Sequence, residues 1–147
     1  MGYYYAVCIH FSEDCKKSFD AYINSLSEKD ISKLSEKYTD VYFSEYSLEE
    51  LRNEVFHFLE TATTRCKHLE EVVYIWDCVK WYKDYPPVAI IEDFFKKSEY
   101  STFAFARMGE NGEDIESMGS YYLGYFQIRK GFICDKSLEY LLNIRNK

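Results

Sequence analysis

One stretch, Tyr4 to Phe11, constrains the fold more than any other. Tyr5, Val7, Ile9 and Phe11 alternate with Tyr4, Ala6, Cys8 and His10, the two-residue period of a β-strand. A strand with one wet face shows apolar residues on one parity only. Here both parities are largely apolar, which predicts a strand in the middle of a sheet. The rest of the chain must then supply flanking strands and covering helices.

The helices announce themselves through their caps. Ser12 and the acidic pair Glu13-Asp14 predict a helix start, and Phe19, Tyr22, Ile23 and Leu26 follow the three-and-four spacing of one buried face. Ser27 caps a further short helix carrying Ile31 and Leu34. Ser47-Leu48-Glu49-Glu50 has the spacing of a capping box, in which the Ser and Glu side chains each satisfy a free backbone N–H. Behind it Leu48, Leu51, Val55, Phe58, Leu59 and Ala62 form an apolar stripe. Pro86-Pro87 suits the first turn of a helix, where a missing N–H costs nothing, with Val88, Ile91, Phe94 and Phe95 as its buried face. Leu138, Leu141 and Leu142 predict a terminal helix.

Between these helices, Val41 to Tyr46 predicts a short strand. Val72 to Tyr82, rich in β-branched and aromatic residues, predicts a longer one; Val73, Ile75, Val79 and Trp81 share a parity, with Asp77 the exception. Thr102 to Arg107 and Tyr121 to Ile128 predict strands paired around a polar connection. The expected order is β-α-β-α-β-α-β-β-α. Helices interleaved with a mostly antiparallel sheet argue for an α+β fold, a two-layer sandwich with helices on one face. The 147 residues contain no Pro/Gly-rich linker and no internal repeat, so one domain over 1–147 is expected.

Composition narrows the function classes. The net charge of −7, from 25 acidic and 18 basic residues, repels phosphate backbones and argues against direct nucleic-acid binding. Arg129, Lys130, Lys136, Arg145 and Lys147 gather near the C-terminus, but Asp135 and Glu139 interrupt them. Five widely spaced cysteines fit reduced thiols in a cytoplasm. The N-terminus lacks the basic segment of a signal peptide, and the apolar runs fall short of the roughly 20 residues a membrane helix needs. No membrane partner is expected. The aromatic share of 19% suits either an aromatic core or a binding surface rich in tyrosine.

Common chemistries lack their residues. His10, His57 and His68 show no i, i+4 pairing, Cys66-Lys67-His68 is the one close Cys/His pair, and C-x-x-C is absent, so no metal is expected. Cys8 and His10 share a strand face, but an activated thiolate needs exposure and positive surroundings, which this apolar segment denies. There is no G-x-S-x-G elbow, no G-x-G-x-x-G and no Walker loop. Neither a cofactor nor catalysis is expected.

Two segments remain as binding surfaces. Met108 to Gly119 holds four carboxylates, Glu110, Glu113, Asp114 and Glu116, and no basic residue. Asn111-Gly112 predicts a tight turn, with Asp114 and Glu116 on one side of the returning strand and Glu113 and Ile115 on the other. Such a patch either imitates phosphates and docks on Arg and Lys of a partner, or is a solvated hairpin tip. The second segment, with Trp81, Tyr82 and Tyr85, either anchors a partner or covers the end of the core.

Residues 76–133 carry a resemblance. A strand ending in Lys80-Trp81-Tyr82, a Pro-Pro helix start and a hairpin with Gly112-Glu113-Asp114-Ile115-Glu116 resemble small acidic phage and mobile-element proteins with a ferredoxin-like sheet. The resemblance is to the anti-defence, anti-CRISPR type. It implies a non-enzymatic inhibitor that binds a basic protein, a nucleic-acid-handling enzyme such as a defence nuclease. The competing expectations are an immunity protein neutralising a toxin, a small enzyme with an unrecognised site, and a self-associating protein that forms homodimers.

Overall fold

The computed structural model describes residues 3–68, 71–112, 114–120, 126–128 and 132–134. The strand Tyr5–Phe11 (β1) does lie centrally: it pairs antiparallel with Glu71–Val79 (β3) on one side and with Phe103–Gly109 (β4) on the other. Thr64–His68 (β2) joins β3, and Ile115–Gly119 (β5) joins β4, giving the order β2-β3-β1-β4-β5. Between β1 and β2 run three helices, Glu13–Asn24 (α1), Glu28–Lys37 (α2) and Leu48–Glu60 (α3); Pro86–Lys97 (α4) links β3 to β4. Leaving out α2, α3 and β5, this is the β-α-β-β-α-β connectivity of a ferredoxin-like split βαβ, and its sheet order β2-β3-β1-β4 agrees. Phe126–Ile128 (β6) and Phe132–Cys134 (β7) form a separate antiparallel pair.

Each expected cap is made. The hydroxyl of Ser12 accepts from the Cys15 amide, and Ser27 and Ser47 form full capping boxes with Asp30 and Glu50. The two prolines occupy the first turn of α4. The register places Val7 opposite Trp76 and Arg107, and Ile9 opposite Tyr74 and Phe105. These residues, with the inner faces of the helices, form one core rich in rings. Phe95 stacks on Phe103 at 4.4 Å and Phe58 on Trp76 at 5.6 Å, so much of the aromatic excess is core. The opposite parity, Cys8, His10, Val73, Ile75, Ala104, Ala106 and Met108, is buried as well.

Four expectations need correction. Val41 to Tyr46 is not a strand: it holds a 3-10 turn over Phe43–Glu45, which buries Val41 and Phe43 and turns Tyr42 out to 67% exposure. β3 stops at Val79, so Trp81 and Tyr82 belong to the loop before α4. β4 pairs with Ile115–Gly119, the strand expected to return from Asn111-Gly112, while of the expected strand Tyr121 to Ile128 residues 121–125 lie outside the described residues and Phe126–Ile128 pairs with Phe132–Cys134. The tight turn comes directly after β4, with the Gly112 amide donating to the Gly109 carbonyl and Gly112 at φ +77°, which sets Asp114 opposite Gly109. β2 was not expected at all. The terminal helix at Leu138, Leu141 and Leu142 lies outside the described residues.

Candidate functional site

At the end of the sandwich where β1 begins and β4 ends, the layers part around a cleft of about 760 Å³. Its lining comes from β1 (Tyr5), the turn after α2 (Lys37 to Val41), the β3–α4 loop (Trp81 to Asp84), and the β4–β5 hairpin (Arg107 and Asp114). Strand register explains the hairpin's contribution. Arg107 shares the helix-facing side of β4 with Phe103 and Phe105, and cross-strand pairing sets Glu116 opposite it.

Arg107 is 6% exposed, so its charge needs company. Its Nη1 lies 3.1 Å from Asp114 Oδ1, and Nη2 donates to Glu116 Oε2 at 3.5 Å. Its guanidinium carbon stands 5.0 Å from the centre of the Tyr5 ring. Burial works against the charged guanidinium, but Asp114 and Glu116 outweigh it and hold its pKa above the usual arginine value. The Tyr5 hydroxyl donates to Asp114 Oδ2 at 2.9 Å, and that bond, followed by Arg107, keeps Asp114 below the usual carboxylate range. Lys83 approaches Glu116 Oε2 at 3.6 Å. Behind the cleft, Glu92 is buried and accepts the indole N–H of Trp81 at 2.8 Å; burial pushes its carboxyl pKa up.

The expected binding residues are thus distributed over different roles. Asp114 and Glu116 line up on one side, as expected, but they face an arginine of their own chain. Glu110 is exposed at the hairpin tip, and its backbone amide donates to the Tyr4 carbonyl. Glu113 lies outside the described residues. Trp81 is 2% exposed and packed between Trp76, Phe58 and Phe105, so it is a core residue rather than a surface anchor. Tyr85 is half-buried and donates to Glu54 Oε1 at 2.8 Å. Tyr82 is 37% exposed, and its hydroxyl accepts from the Tyr3 amide.

Sequence reasoning missed Tyr5, Asp40, Asp84 and above all Arg107. The one available signal was that Arg107 follows Phe103 and Phe105 on their own parity, which places a cation on an apolar face. Cys8 and His10 are buried together, and burial lowers the His10 pKa to about 4, so neither resembles an activated pair. Among the described residues no His/Cys/Asp/Glu group could hold a metal ion, and no helix is long and apolar enough to cross a membrane. The chain matches no protein-family model, no curated protein and no solved structure, so its function has to be argued from this cleft and its rim.

Proposed function

We propose that this chain is a non-catalytic binding protein that docks against a basic protein and blocks it, in the manner of an inhibitor of a nucleic-acid-handling enzyme. One observation carries the reading. Tyr42, following the cleft residue Val41, and Tyr82 stand exposed on the two loops that flank the cleft, with the exposed carboxylates Asp40 and Asp84 beside them in the chain. Tyrosines that combine ring area with a polar tip dominate binding energy at interfaces, and a carboxylate rim selects Arg and Lys. Glu110 at the nearby hairpin tip extends the acidic rim. A phosphate-binding groove is a basic surface of the right kind.

The test uses tagged wild-type protein, a triple Asp40→Lys, Asp84→Lys, Glu110→Lys variant and a double Tyr42→Ala, Tyr82→Ala variant, each incubated with lysate of its bacterial host. A stoichiometric protein retained by the wild type and lost by both variants supports the proposal. Retention unchanged in the variants overturns it. Association should also slow with salt, because exposed charges are screened beyond about 8 Å at physiological ionic strength.

A further inference from the structure

Gly109 closes β4, and it is a glycine on account of a neighbour rather than of its own backbone, whose φ, unlike that of Gly112, lies outside the left-handed region. A Cβ added at Gly109 would overlap the Tyr3 hydroxyl and stand 2.8 Å from the Tyr3 ring atoms Cε2 and Cζ. The end of the Tyr3 side chain therefore occupies the place where a side chain of residue 109 would be.

From this seat Tyr3 reaches three elements. Its ring meets Tyr5 of β1 edge-on, with centres 5.1 Å apart. Its hydroxyl donates to Asn111 Oδ1 at 2.6 Å, in the turn between β4 and β5. Its backbone amide donates to the Tyr82 hydroxyl at 2.9 Å, in the loop between β3 and α4. The next residue holds the same turn, since the Tyr4 carbonyl accepts from the Glu110 amide at 2.9 Å. Lys83 and Glu116, 3.6 Å apart, add a second link between loop and hairpin, but the lysine side chain is solvated and such pairs contribute little.

Glu110 and Tyr82, which lie on the two segments that Tyr3 joins, are both exposed. Two loops that move independently must be ordered when a partner binds, and fixing them beforehand removes that cost. From this geometry we infer that Tyr3 is a positioning residue, a latch that couples the β4–β5 turn to the β3–α4 loop so that Glu110 and Tyr82 are presented as one surface. The coupling belongs to the isolated chain; its use in binding rests on the inhibitor reading.

The experiment is amide hydrogen exchange by NMR on the full chain, read at one amide in each segment. The Tyr85 amide donates to the Tyr82 carbonyl, and the Gly112 amide to the Gly109 carbonyl. In Gly109→Ala the added methyl meets only the far end of the Tyr3 side chain, so the ring is displaced without strain in the backbone. Exchange at Tyr85, in the distant loop, should rise about fivefold, as for the loss of one hydrogen bond, with the melting temperature within about 2 °C of wild type. Asn111→Ala should do the same, and Asn111→Asp, which keeps an acceptor for the Tyr3 hydroxyl, should restore the wild-type rate. Conversely, Tyr82→Phe should raise exchange at Gly112. Unchanged exchange at the distant amide in these variants, or equal rates in Asn111→Ala and Asn111→Asp, overturns the inference. In the host lysate, Gly109→Ala should retain at least about fivefold less of the protein that the wild type holds; undiminished retention overturns the part of the latch in binding. A wild type that retains nothing overturns the inhibitor reading alone, because exchange in the isolated chain decides the coupling.

Discussion

At the scale of single residues, the acidic hairpin is half structural. Asp114 and Glu116 compensate a guanidinium that is almost wholly buried, so their charges are committed inward before any partner arrives. Removing the counter-charge of a buried ion costs more than the pair contributes, because the remaining charge is left desolvated. Asp114→Lys should therefore lower stability by about 1–3 kcal/mol, reduced from the fully buried case because Asp114 itself is solvated and Glu116 remains. Asp84→Lys, at an exposed rim position, should change it by less than about 0.5 kcal/mol. Urea unfolding of the two variants makes the comparison; equal midpoints would show that Arg107 does not depend on Asp114. The acidic residues were legible in the sequence. Their partner was not, because a lone arginine near a strand end reads as solvent-exposed until register sets it across from Glu116.

At the scale of elements, what was legible followed from local rules. Ser12, Ser27 and Ser47 cap helices wherever they sit, since the bond is made within one turn. Edge strands were less legible for the converse reason: Thr64–His68 was not expected, and the strand returning from Asn111-Gly112 was expected only in part. Thr64–His68 and Ile115–Gly119 each pair on one side only within the five-stranded sheet, so their sequences carry polar residues without the alternation of β1. Helix-to-helix contacts were also beyond reach. Asp93 of α4, fully buried, accepts from Lys37 and Tyr38 at the end of α2 at 2.8 and 2.7 Å, while Lys97 pairs with its other oxygen at 2.8 Å. Burial alone would raise the Asp93 pKa, but these partners outweigh it and hold it below the usual carboxylate value. A depressed folded-state pKa contributes stability above the unfolded value, lost as pH falls through the folded one. Asp93→Asn should thus cost about 1.5–3 kcal/mol near neutrality, and the gap to wild type should close in strong acid. A gap independent of pH would mean that the carboxylate charge contributes nothing to holding α2 on α4.

At the scale of the whole molecule, acid sensitivity should be dominated by a residue far from the cleft. His10 sits fully buried on β1, between β3 and β4, with Nε2 at 3.4 Å from Glu71 Oε1. Burial lowers its pKa from 6.5 to about 4; the attraction of Glu71 pulls upward and loses. Between those two values the unfolded chain binds a proton that the native chain refuses, so native stability rises with pH across the window and falls on acidification. A shift of this size corresponds to about 3 kcal/mol lost by the time the pH reaches 4. Such a loss is a large share of the total for a domain of this size. It acts on the central strand, so it should unfold the sheet as one unit rather than fray an edge. Glutamine occupies similar space without titrating, and every other carboxylate and histidine is common to both chains, so their contributions cancel in the difference. Urea melts of wild type and His10→Gln across this window should therefore diverge, with wild type declining more steeply by about 3 kcal/mol. Parallel pH curves would show that His10 takes up its proton inside the folded sheet, held by Glu71, and that the acid sensitivity of the molecule lies with its carboxylates instead.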